Sequence, residues 1–150
     1  MGKRRKAREL ALQILFRLDL GQENLTDEML EGFLNENAAS EDIKEYTRIL
    51  VKGTVNNTTE IDKIITEYSE NWSIDRMASV DRNILRFSIY ELHQRHEIPS
   101  SVIINEAIEI AKKYVSPIAQ KGDWFAISEK VVSVCQNNVR HISTVKAGWL

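Results

Sequence analysis

A chain of 150 residues with 43% hydrophobic and 28% charged residues has the length and composition of one globular domain, which excludes a disordered chain. The single cysteine, Cys135, excludes an internal disulfide and a thiolate metal cage. No apolar run reaches membrane-spanning length, and the start lacks the hydrophobic segment of a signal peptide. We therefore expect a cytoplasmic protein.

The charge is distributed unevenly. The first eight residues hold five of the 20 basic side chains and no acidic one, whereas the net charge of the whole chain is −2. We call these five residues the basic tip: Lys3, Arg4, Arg5, Lys6 and Arg8. A mildly acidic body with one basic segment favours local contact with an anion over a general coating of a polyanion.

The basic tip opens the first predicted helix, residues 4–20, which ends before Gly21. Its apolar residues recur at helical spacing on one face, at Ala7, Leu10, Ala11, Ile14, Leu15 and Leu18. Cations at a helix N-terminus oppose the helix dipole, by about 0.3–1 kcal/mol each when exposed. This conflict suggests that the chain uses the tip to bind an anion. A solvated basic N-terminus is the alternative.

Later helices begin with the acids that the dipole favours. Thr26 precedes two acidic residues and caps a short helix to about residue 35, and Ser40 opens the next helix in the same way. The following helix, near 58–70, is either separate from its predecessor or kinked.

The second half of the chain carries the most apolar predicted helix, residues 76–96, which we expect to be central in the fold. Another helix begins at Ser100 or Ser101 and runs to Tyr114, and a weaker pattern suggests one more helix within 124–134. The sequence therefore predicts an all-α, single-domain helical bundle of about six or seven helices.

Six sequence blocks follow one another across residues 4–114. They are Arg4-Arg5-Lys6-Ala7-Arg8-Glu9, Val51-Lys52-Gly53-Thr54-Val55, Trp72-Ser73-Ile74-Asp75-Arg76-Met77, Val80-Asp81-Arg82-Asn83-Ile84-Leu85-Arg86, Ile89-Tyr90-Glu91-Leu92 and Ile104-Asn105-Glu106-Ala107. In this order the blocks resemble the NusB family. The resemblance implies a non-enzymatic, RNA-binding transcription antitermination factor without a cofactor. It also implies pairing with the ribosomal protein NusE on single-stranded boxA RNA of ribosomal-RNA leader transcripts, and assembly with NusA, NusG and RNA polymerase.

The resemblance covers 1–114 as the core of the domain and weakens in the segment 115–150. We treat this divergent C-terminal segment as part of the same domain and offer a frameshift just after Tyr114 as a hypothesis, with true divergence as the alternative. Resequencing the gene across this point tests it.

Candidate RNA-binding residues lie in the first predicted helix. The basic tip supplies phosphate contacts, and arginine can also stack on bases or donate two hydrogen bonds to them. Gln13 can bind a base edge, and Phe16 can stack on an unpaired base, with core packing as the alternative for Phe16. We expect alanine at Arg4, Arg5 and Arg8 to weaken boxA binding and leave the fold intact.

Candidate partner-binding residues lie in the central helix. The resemblance places the NusE surface near Asp81, Arg82 and Arg86, where Asp81 would meet a basic partner. Internal salt bridges are the alternative. We interpret Asn105 and Glu106 as residues that bond between helices.

Two other functions remain open from the sequence. One is a helical protein–protein interaction module without RNA specificity. The other is a stand-alone relative of the NusB-like domain of RNA cytosine methyltransferases. His93 and His96 lack a third ligand, so we expect no metal site. A homodimer of the free protein is also left open.

Overall fold

The computed structural model describes residues 2–38, 40–69 and 73–115, which form six α-helices and no strand. The helices are α1 (Lys3–Gly21), α2 (Asp27–Asn37), α3 (Glu41–Asn56), α4 (Thr58–Tyr68), α5 (Ser79–Gln94) and α6 (Ser100–Val115), with a 3₁₀ helix at Ile74–Arg76 before α5. The all-α prediction is confirmed. The helix predicted within 124–134 lies outside the described residues. None of the helices in the described ranges is long and apolar enough to cross a membrane.

Helix ends follow the predicted chemistry in part. The Thr26 hydroxyl accepts a hydrogen bond from the Met29 N–H at 3.2 Å, so this cap is confirmed. Ser40 occupies the cap position of α3 but makes no capping hydrogen bond with its side chain. At the end of α1, Gly21 is still helical, and Gln22 adopts the left-handed conformation with φ of 50°.

Two predicted boundaries are now resolved. α3 and α4 are separate helices, because Asn57 between them leaves the helical conformation. The helix predicted over 76–96 is shorter, since Met77 and Ala78 are extended and α5 begins only at Ser79. The Met77 side chain is buried.

The direction of each helix follows from cross-helix contacts. Lys3 contacts Asp42, and the Thr47 hydroxyl oxygen lies 3.4 Å from the Ala7 carbonyl oxygen, so α1 and α3 run parallel. Contacts of α1 with α6, which join Arg5 to Glu106 and Glu9 to Lys113, give the same direction. Arg8 meets Glu91 and Asp19 meets Arg82, so α5 is antiparallel to α1. The starts of α1, α3 and α6 therefore share one end of the bundle with the end of α5.

α5 is the centre of the packing. It contacts α1, α3, α4 and α6, which confirms the prediction made from its broad apolar surface. Its most deeply buried apolar residues are Ile84, Leu85, Phe87 and Ile89. Asp81, Asn83, Ser88 and Glu91 on the same helix are also buried, so α5 carries polar groups into the interior.

Gly53 of α3 lies under the ring of Tyr90 of α5, and a Cβ atom at this position would overlap the ring. We expect Gly53→Ala to lower the free energy of unfolding by about 1–3 kcal/mol through overpacking. Without the ring, alanine should instead stabilise the helix by about 1 kcal/mol. Urea denaturation of Gly53→Ala in the wild-type and Tyr90→Ala backgrounds should therefore give effects of opposite sign. Equal effects in the two backgrounds would show that the ring does not restrict residue 53.

Candidate nucleic-acid interface

The basic tip begins α1 without local compensation. Gly2 at the cap position offers no side-chain hydrogen bond, and the first turn of α1 holds no acidic residue. By contrast, the first turns of α2 and α3 each hold two acids. The cations of the tip are therefore neutralised by other helices or left for an external anion.

Arg8 is buried inside the bundle, where it forms an ion pair with Glu91. Its side chain is 2% exposed, and its Nε and Nη2 atoms lie 2.7 and 2.8 Å from the two carboxylate oxygens of Glu91, which is fully buried. The Tyr46 hydroxyl donates to Glu91 at 2.7 Å. Burial disfavours the charged guanidinium, but the hydrogen bonds to Glu91 outweigh it and raise the pKa of Arg8. The expectation that Arg8 can be replaced without harm to the fold therefore needs correction.

Arg5 and Lys3 also contact acids of other helices. Arg5 donates two hydrogen bonds to Glu106 at 2.7 and 2.8 Å, and these lower the pKa of that carboxyl. The interhelical role of Glu106 is confirmed, whereas Asn105 is exposed. Lys3 contacts Asp42 at 2.6 Å, but both side chains are about two-thirds exposed or more, so water screens this pair.

Arg4 and Lys6 are the cations of the basic tip without a carboxylate contact in the described ranges. Arg4 is exposed, and its guanidinium lies 5.9 Å from the centre of the Tyr46 ring. Lys6 is half-buried. These two side chains offer positive charge that no acid of the bundle cancels.

Gln13 and Phe16 lie further along α1. Gln13 is exposed. Phe16 is half-buried and belongs neither to the core cluster nor to the apolar residues packed against it. Helical spacing puts Gln13 on the same face as Lys6 and the exposed Arg17, over a length of about 16 Å. A polar, partly aromatic strip thus leads away from the tip.

The salt-bridge alternative holds for Arg82 and Arg86. Arg82 donates to Asp19 from Nε and Nη2, at 3.0 and 2.6 Å, and to the Ile74 carbonyl from Nη1. Arg86 donates two hydrogen bonds of 2.8 Å to Asp62. Their donors bind groups of the bundle itself, and the expectation that these arginines form a partner surface stays a prediction.

The structure places Asp81 in the interior of the bundle. Its side chain is 1% exposed, and its Oδ1 atom has no hydrogen-bond partner among the described residues. Burial raises the pKa of Asp81 to about 6. A basic partner cannot reach this carboxylate while α5 keeps its position.

His93 and His96 lie at the end of α5 and in the turn that follows. In the part of the chain that the structure describes, no group of three His, Cys, Asp or Glu side chains is placed to hold a metal ion.

Comparison with known proteins identifies the family. The family model for the NusB family matches residues 5–121. The chain belongs to the NusB family. This confirms the resemblance found in the ordered sequence blocks.

Individual NusB relatives agree with this assignment. The transcription antitermination protein NusB of Thermodesulfovibrio yellowstonii is 46% identical over 121 residues, covering 75% of this chain and 80% of the relative. The solved structure of T. maritima NusB has a TM-score of 0.74 at 32% identity and covers 89% of this chain and 90% of that one. A crystal structure of the antitermination factors NusB and NusE in complex with dsRNA has a TM-score of 0.74 at 29% identity, covering 90% and 97%.

Two candidate residues of this NusB-family chain were missed by sequence reasoning. Arg17 is exposed, and its spacing of four residues from Gln13 was a sufficient signal. Arg95 follows α5, and its guanidinium lies 5.6 Å from the centre of the Tyr46 ring, on the ring that Arg4 also approaches. Because Arg95 is far from the basic tip in the sequence, no local pattern pointed to it.

Proposed function

We propose that this NusB-family protein is an RNA-binding antitermination factor that binds single-stranded boxA RNA through the start and exposed face of α1. The observation that carries the proposal is the pair of cations, Arg4 and Lys6, that no acid of the described bundle neutralises. The solved NusB–NusE complex with dsRNA supports RNA as the class of anion.

Phosphate contact accounts for affinity in this proposal. Arg4 and Lys6 contact the RNA backbone directly, and Lys3 joins them because its exposed pair with Asp42 is easily exchanged for a phosphate. Arg5 and Arg8 have a positioning role: their bonds to Glu106 and Glu91 fix α1 against α6 and α5. The interface therefore uses fewer cations than the sequence offered.

Base contact accounts for selectivity. Phosphate contacts fix the register of a nucleic acid but do not specify its sequence. The amide of Gln13 can donate to and accept from a base edge, and the ring of Phe16 can stack on an unpaired base. Stacking of this kind needs a base outside a duplex, so we propose single-stranded RNA as the ligand.

The partner in this proposal is NusE, with NusA, NusG and RNA polymerase in the larger complex. Support comes from the related NusB structure that contains NusE. Arg82, Arg86 and Asp81 are not assigned to the NusE surface, because their side chains face the interior or bind Asp19 and Asp62.

The test measures binding of fluorescent single-stranded boxA RNA by anisotropy, with and without NusE. Replacing both Arg4 and Lys6 by glutamine removes two phosphate contacts. We expect the salt dependence of log K to become shallower by about 1.4 and the affinity at about 0.1 M salt to fall about 20-fold. The matched control replaces Lys63 and Arg76, two exposed cations away from the N-terminal end of the bundle.

The control should bind RNA like the wild type. Equal affinity of the Arg4/Lys6 variant and the control at both high and low salt would reject the proposed interface. If the protein binds NusE but no RNA, the protein–protein interaction module is the correct function. A duplex of the same sequence serves as competitor and should compete less well than the single strand.

A further inference from the structure

Arginines from two separate parts of the chain contact the ring of Tyr46. Tyr46 lies on α3 and is 9% exposed. Arg4 and Arg8 approach its ring from α1, each at 5.9 Å from the centroid, and Arg95 approaches from the segment between α5 and α6 at 5.6 Å. Since Glu91 binds Arg8, the guanidinium groups of Arg4 and Arg95 are the two at this ring that Glu91 does not bind.

Arg95 is only weakly neutralised. Its Nε atom lies 2.8 Å from the Glu97 carboxylate, and the two side chains are 28% and 52% exposed. The Nε atom is buried and makes no hydrogen bond of good geometry with that carboxylate. Exposed ion pairs contribute little net free energy, because water screens them and both side chains lose conformational freedom. A phosphate that binds Arg95 therefore loses little free energy by displacing the Glu97 carboxylate.

The ring also prepares both arginines for binding. A guanidinium held at an aromatic ring by cation–π attraction samples fewer conformations than a free side chain. Less conformational entropy is then lost when the arginine binds an anion. The two Nη groups of Arg95 carry its other N–H donors, and these suit the oxygens of a phosphate.

We propose that Arg95 is a further contact to the RNA backbone and that Arg4 and Arg95, which share the ring of Tyr46, both bind phosphate. The bound strand then continues from the start of α1 onto the turn between α5 and α6. This inference rests on the proposed function and extends it to a residue that lies 91 positions from Arg4 in the sequence.

The test uses the same boxA RNA and the full chain. We expect Arg95→Gln to weaken binding about fivefold at about 0.1 M salt and to make the salt dependence of log K shallower by about 0.7. Arg95→Lys keeps the charge and should retain the wild-type salt dependence. Glu97→Gln should strengthen binding, because it removes the competing carboxylate. The matched controls are Arg76→Gln and Glu23→Gln, which change the same charges at exposed positions near the opposite end of the bundle.

The outcomes separate this inference from the proposed function. If the Arg4/Lys6 variant loses affinity while Arg95→Gln behaves like Arg76→Gln, the inference is overturned and the proposed function stands. If neither variant changes RNA affinity, both fail. Circular dichroism and urea denaturation of Arg95→Gln confirm that the variant remains folded. If Arg95→Gln does not fold, Arg95→Lys and Glu97→Gln take its place in the RNA-binding comparison. In that case, an RNA affinity of Glu97→Gln equal to that of the wild type also overturns the inference.

Discussion

Replacing Arg8 by methionine is expected to lower the free energy of unfolding by about 3–5 kcal/mol, a large part of the stability of an ordinary domain. The substitution keeps most of the buried volume but leaves the Glu91 carboxylate, which is fully buried, without its bidentate partner. The Tyr46 hydroxyl still donates one hydrogen bond to Glu91, but it brings no positive charge. Urea denaturation of the wild type and the variant measures the difference.

A second variant separates the lost ion pair from lost packing. When Arg8→Met is combined with Glu91→Leu and Tyr46→Phe, no buried charge or buried hydroxyl of this cluster remains unpaired. Apolar replacement of a whole buried ion pair is often neutral or stabilising, so the triple variant should recover most of the loss. A triple variant as unstable as Arg8→Met would show that shape, not charge, dominates at this site.

Arg8→Met also tests whether Arg8 positions α1, as proposed, or contacts the RNA directly. At a temperature where the variant is folded, we expect it to bind RNA with nearly the wild-type salt dependence, because Arg8 is 2% exposed and contacts Glu91. A folded Arg8→Met protein with the shallow salt dependence of the Arg4/Lys6 variant would make Arg8 a direct phosphate contact.

Replacing Asp81 by asparagine is expected to stabilise the protein at pH 7 by about 2 kcal/mol relative to the effect of the same substitution at pH 4. Burial raises the pKa of Asp81 to about 6 in the folded chain, above its value when unfolded. A tenfold change in the acid dissociation constant corresponds to about 1.4 kcal/mol. The carboxyl is therefore neutral and tolerated at low pH, and its charge destabilises the fold as the pH rises.

The sign of this effect follows from proton binding. Between about pH 4 and 6 the folded state holds a proton on Asp81 that the unfolded state has released, so the contribution of Asp81 to stability falls as the pH increases. Asparagine removes this dependence but keeps the shape. Urea denaturation of the wild type and of Asp81→Asn across this pH range gives the difference in their free energies of unfolding. Any cost of burying the amide is the same at every pH, so it does not affect how this difference changes with pH. A difference that stays constant with pH would show that Asp81 is solvated.

Much of the fold could be predicted from the sequence. Periodic apolar residues located α1 and the central α5, and the acids after Thr26 located the start of α2. The boundary near Met77 was missed because apolar spacing continues through the extended residues Met77 and Ala78. Hydrophobic periodicity records which residues face the core, but it does not record a local change in backbone direction.

The site was predicted less completely than the fold. Sequence patterns found the basic tip and the strip with Gln13 and Phe16, and the NusB-like blocks pointed to RNA. They could not separate Arg4 and Lys6 from Arg8, since all three are cations within one turn and a half of helix. Which of them is neutralised depends on Glu91 and Glu106, which lie more than 80 residues further along the chain.

The sequence by itself determined that this protein is an all-helical member of the NusB family with positive charge concentrated at one helix start. Both properties depend on local composition and residue spacing, which are known from the sequence alone. Only the tertiary structure decided which charges remain available, because that depends on how α3, α5 and α6 pack around α1. Packing buries Arg8 on Glu91, binds Arg82 to Asp19 and brings Arg95 to the ring shared with Arg4. The physical reason is that a charge attracts an external ligand only weakly once a partner of opposite sign within the fold has neutralised it.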